Sequence, residues 1–98
     1  MILISNVTYP PSSTREVAKR YLTAPVLPDF ITKKGPYVSA DVKEGMHSIT
    51  YYELEDHRLA EGFKAVTESL SVYADVPGYN YELKPYFQLE EGLNILNM

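Results

Sequence analysis

Leu59, Phe63, Val66, Leu70 and Tyr73 recur at steps of 4, 3, 4 and 3. Only an α-helix brings such a series onto one face, and about four turns of it present an apolar stripe that has to be buried against another layer. Asp56 ahead of the run is the expected N-cap, and Asp75-Val76-Pro77-Gly78 is the expected stop. Gly62 interrupts the helix at a cost of about 1 kcal/mol relative to alanine, and a close helix–sheet approach would explain the choice.

The layer beneath that helix is read from the extended segments around it. Residues 1–8 are apolar and β-branched, as in a buried first strand, and Tyr9-Pro10-Pro11 stops them. Ser13, with Glu16 three residues on, has the pattern of a capping box. It opens a short helix whose apolar stripe is Val17, Tyr21 and Leu22, bracketed at its exit by Pro25 and Pro28. From Phe30 the pattern is extended through Tyr37, Val38 and Ala40, with a bend or edge irregularity at Lys33-Lys34-Gly35-Pro36. Asp41-Val42-Lys43-Glu44-Gly45 is a polar turn in which the glycine is expected to take a positive φ. Residues 46–54 form a third strand.

Alternation in that strand puts Met46, Ser48, Thr50, Tyr52 and Leu54 on one face and His47, Ile49, Tyr51 and Glu53 on the other. The pattern does not settle which face meets the helices. Apolar side chains on both imply that both are covered. Tyr79, Tyr81, Leu83 and Phe87 mark a fourth strand, with Pro85 inside it arguing for an edge. Leu89 to Leu96 reads as a short last helix. No linker, repeat or low-complexity stretch divides residues 1–98, so one α+β domain is expected.

Strand, helix, two hairpin strands, helix, strand is the βαββαβ order of ferredoxin-like domains, with a four-stranded antiparallel sheet. At 98 residues with a C-terminal extension, the chain resembles the dimeric α/β-barrel group. Val76-Pro77-Gly78-Tyr79 and Glu90-Glu91-Gly92-Leu93 are similar to stretches in uncharacterised members. The resemblance implies two sheets facing each other across a two-fold axis, with the helices outside. It does not imply one activity, because members include cofactor-free monooxygenases, lactone isomerases and haem-dependent enzymes. The homodimer also has a direct argument. Two helices cover one face of a four-stranded sheet, and at about 25 cal/mol per Å² the other face gains from being hidden by a second copy.

Composition narrows the chemistry. There is no cysteine, which excludes disulfide scaffolds, thiol catalysis and Cys-ligated metals. The net charge of −4 leaves no basic footprint for nucleic acid. No apolar run approaches a membrane span, and the first residues lack the pattern of a secretory signal, so a cytoplasmic location is expected. No phosphate-cradling glycine loop or GxSxG elbow occurs, so the serines carry no hydrolase signature.

The candidate catalytic residues are the two histidines, His47 on the third strand and His57 beside Glu53, Glu55 and Asp56. Their spacing matches no metal motif, and no metal or cofactor is expected. Nine tyrosines against three phenylalanines suit strands, pocket walls and interfaces alike. Tyr9, Tyr37, Tyr51, Tyr52 and Tyr81, with His47 and Asn6, are the expected ligand-binding set; Tyr51 and Tyr52, being adjacent, face opposite ways. Three functions fit: a homodimeric small-molecule-binding or structural module, a cofactor-free monooxygenase or isomerase acting on a small aromatic or apolar substrate, and a regulatory ligand-binding domain. A cavity of a few hundred Å³ lined by His47 and tyrosines would favour the enzyme.

Overall fold

The computed structural model describes residues 1–43 and 45–97, so Glu44 of the polar turn and Met98 lie outside the described residues. Its elements are β1 (Ile2–Tyr9), α1 (Thr14–Thr23), β2 (Thr32–Asp41), β3 (Gly45–Glu53), α2 (Leu59–Ser71), β4 (Asn80–Tyr86) and α3 (Leu89–Ile95). Short 3-10 turns, Pro11–Ser13 and Asp56–Arg58, lead into α1 and α2. The strands make one antiparallel sheet in the order β2-β3-β1-β4, an α+β arrangement compatible with a ferredoxin-like fold.

The expected irregularity in β2 is a register shift between Lys34 and Tyr37, with Gly35 at φ +105°. Gly45 takes the positive φ expected of the β2–β3 turn, +86°. Pro85 sits on an edge strand, where a missing donor is tolerated. The other edge, β2, carries the bulge and two lysines, features that discourage edge-to-edge pairing.

Register settles the face that alternation left open. Leu3, Ser5, Val7 and Tyr9 lie opposite Tyr52, Thr50, Ser48 and Met46. These eight point to the helices. Leu3, Val7, Tyr9, Ile31, Tyr52, Leu54, Val66 and Leu70 form the core. From the α2 stripe, Val66, Leu70 and Tyr73 are buried, whereas Phe63 is exposed. Gly62 answers the expectation of a close approach: a Cβ there would stand 2.3 Å from Leu54 Cδ1.

Several local expectations are corrected. Ser13 is not a side-chain cap. Its Oγ donates to the Pro77 carbonyl at 2.6 Å, and Glu16 pairs with Arg20 instead of closing a capping box. Asp56 makes no side-chain cap either, because a 3-10 turn begins there and α2 starts at Leu59. Phe30 and Ile31 precede β2, and Tyr79 and Phe87 flank β4. The Val17–Tyr21–Leu22 stripe does not seal α1 to the sheet. No residue of α1 is buried, and Leu22 is 83% exposed.

Candidate functional site

The two central strands carry small hydroxyl side chains where a packed layer would carry leucine or isoleucine. Ser5 on β1 lies opposite Thr50 on β3, and Ser48 lies opposite Val7. All three hydroxyl residues are buried on the helix side of the sheet. Their short side chains leave space beneath α1, and the result is a cleft of about 760 Å³. Val17, Ala18, Tyr21 and Leu22 of α1 form its roof, Leu70 and Tyr73 its inner wall, and the 24–31 connection its rim. Val26 on that rim is 95% exposed, so the cleft opens to solvent.

Polar links tie the roof to the end of α2. Arg20 of α1 donates from Nε to Glu16 at 2.9 Å, from Nη1 to the Val72 carbonyl at 3.0 Å, and pairs with Asp75 beyond the end of α2. Hydrogen bonding to that guanidinium holds the Asp75 carboxyl below its ordinary range.

Tyrosines make the second polar feature. Tyr9, Tyr79 and Tyr73 stack in series, with centroid separations of 6.2 Å and 4.9 Å. Tyr52 stands beside Ser5 and Thr50. Burial pushes the phenols of Tyr9, Tyr52, Tyr73 and Tyr79 upward, and for Tyr52 hydrogen bonding to Ser5 and Thr50 opposes part of that rise. At neutral pH these groups remain protonated and serve as hydrogen-bond donors and acceptors. Lys33 is the sole charged side chain lining the cleft among the described residues.

The expected site residues do not gather at one place. Tyr9 and Tyr52 line the cleft. Tyr81 follows the same alternation as Tyr79 and Leu83 but stands half-exposed on the edge strand, off the cleft lining. Asn6, Tyr37, His47 and Tyr51 lie on the opposite face of the sheet. There Asn6 Oδ1 is 3.0 Å from His47 Nε2, and the Tyr37 and Tyr51 rings meet edge to face at 6.2 Å. His57 is exposed before α2, with Nδ1 3.4 Å from a Glu55 carboxylate oxygen. Neither histidine reaches the cleft. Among the described residues no three His, Asp or Glu side chains are placed to share a metal ion, and no helix is long and apolar enough to cross a membrane.

Ser5, Ser48, Thr50 and Tyr73 belong to the cleft but not to the expected ligand set. For the three hydroxyl residues the signal was strand parity. Ser5 shares a face with Leu3 and Val7, and Ser48 and Thr50 share one with Met46 and Tyr52, so hydroxyls recur on the side that those apolar neighbours bury.

No protein-family model matches the chain, and no curated protein matches it. Among solved structures, a tripeptidase from Staphylococcus aureus subsp. aureus Mu50 is similar over 99% of this chain, at 12% identity and a TM-score of 0.46. The chain spans 35% of that protein's length, and a likeness at this level carries no argument about fold or activity.

Proposed function

We propose that the chain is a homodimeric binding module of the dimeric α/β-barrel kind, which holds a small, largely apolar or aromatic molecule between its sheet and α1. The hydroxyl floor carries this reading. Each methylene buried in a core is worth about 0.8 kcal/mol, and a small domain has little stability to forgo. Ser5, Ser48 and Thr50 nevertheless occupy buried positions of the layer. Small polar groups under an apolar roof, beside a tyrosine stack, suit a ligand that needs a few hydrogen bonds within an apolar surface.

The same lining favours binding over cofactor-free monooxygenase or isomerase chemistry. Among the described residues no His, Asp or Glu side chain lines the cleft, and its phenols are held protonated. A general base working near neutral pH has no candidate there.

The second copy is assigned to the opposite face. Ile4, Ile49 and Tyr51 form its half-buried apolar centre, and Tyr37 is 56% exposed. Lys34–Glu53 and Lys84–Glu82 pairs lie on the same face at 2.8 Å and 3.3 Å. A surface with both signs of charge around an apolar centre is suited to self-pairing about a two-fold axis.

A thermal-shift screen at pH 7 with phenol, indole and 4-phenylbutyramide tests the binding reading. At least one compound is expected to raise the melting temperature of the wild type, and Ser48→Leu, which fills the floor, is expected to abolish the response. No response from the wild type, or an equal one from Ser48→Leu, would remove the basis of the proposal.

A further inference from the structure

We infer that the ligand of the cleft is an amphipathic acid, an apolar or aromatic body ending in a carboxylate that Lys33 receives. This rests on the proposed binding role of the cleft and names the class of molecule that fills it. Two neighbouring lysines of β2 are divided between the faces of the sheet. Lys34 lies opposite Tyr51 on the open face and is neutralised by Glu53 at 2.8 Å. Lys33 lies opposite Tyr52, on the side of the cleft.

Lys33 has no carboxylate partner among the described residues. Its Nζ stands 4.7 Å from the centroid of the Tyr21 ring on α1, so its side chain spans the cleft from sheet to roof. A cation–π contact holds the ammonium in place without neutralising it. The chain carries a net charge of −4, and an anion meets repulsion over much of its surface. Lys33 is the one cation that the cleft lining offers such a ligand among the described residues.

The stoichiometry of charge selects the head group. One lysine, with no arginine and no glycine loop in the lining among the described residues, matches one negative charge. A doubly charged phosphate would leave one negative charge without a cation in this lining. Beyond the lysine the walls are apolar, with Val17, Leu22, Val26, Leu27, Ile31 and Val38. The body of the ligand is therefore aliphatic or aromatic, and its polar substituents meet the hydroxyls of Ser5, Ser48 and Thr50.

Calorimetric titration of matched pairs separates this inference from the reading it rests on. The probes are 4-phenylbutyrate with 4-phenylbutyramide, and octanoate with octanamide, at pH 7 and low salt. In the wild type each acid is expected to bind about tenfold more tightly than its amide, as a charge-assisted contact provides. Lys33→Met is expected to erase that preference, and Lys33→Arg to retain it. Raising the salt should shrink the preference. Acids and amides binding equally, or a preference surviving in Lys33→Met, would overturn the inference while amide binding keeps the cleft's role intact. Failure of every probe to bind the wild type would overturn both.

Discussion

The Ser13 hydroxyl donates to the Pro77 carbonyl at 2.6 Å, tying the start of α1 to the turn between α2 and β4. Next to Pro77, Gly78 has φ +75°, and a Cβ there would lie 2.5 Å from Pro10 Cδ. The two crossover connections are thus joined at one end of the sheet by a buried hydroxyl and a close backbone contact.

This contact sets Ser13 apart from a helix cap. Ser13→Ala is expected to cost about 1–2 kcal/mol, because the Pro77 carbonyl loses its donor. Ser13→Asp is the sharper test. Aspartate is a favoured N-cap, so a capping role predicts retained stability. A carboxylate facing a carbonyl predicts a loss at least as large as that of alanine. Chemical denaturation of the three proteins at pH 7 distinguishes the two outcomes.

The tyrosine stack gives the protein an alkaline limit. Burial is the main cause that raises the Tyr79 phenol, followed by the neighbouring phenols, Tyr73 first. The folded value lies above the unfolded one, so folding favours the protonated form. That contribution is fully present below about pH 10 and is lost as pH rises toward the folded value. The melting temperature is expected to fall from about pH 10 upward, and Tyr79→Phe should make the fall shallower. Absorbance of tyrosinate should lag behind that of the unfolded chain over the same range.

The proposed pairing of two sheets places Ile49 near the centre of the open face. Ile49→Asp is expected to turn a dimer into a monomer by burying an unpaired carboxylate at the contact. Light scattering coupled to size exclusion reads this directly. A wild type that is already monomeric at micromolar concentration would contradict the pairing.

Element order was legible because each signal is local. The α2 stripe, the Gly45 turn and the edge proline are fixed by neighbours in the chain. The faces of β3 were not legible. Ser48 and Thr50 weaken the apolar signal of the helix side because that side borders a cleft, while Ile49 and Tyr51 give the opposite side an apolar character of its own. The Ser13–Pro77 bond was equally hidden, since it joins residues 64 apart. Tyr21 and Leu22 keep the spacing of a packed stripe although they roof a cleft, and periodicity does not distinguish a roof from a core. For the same reason, counting tyrosines mixed residues of two faces into one expected site.

The central claim is that a ligand enters on the helix side of the sheet. Amide chemical-shift mapping of the wild type during titration with 4-phenylbutyramide tests it most directly. Shifts are expected at Ser5, Ser48, Thr50 and Tyr73, with Asn6, His47 and Tyr51 unmoved. Shifts confined to Asn6, His47 and Tyr51, or none at millimolar ligand, would contradict it.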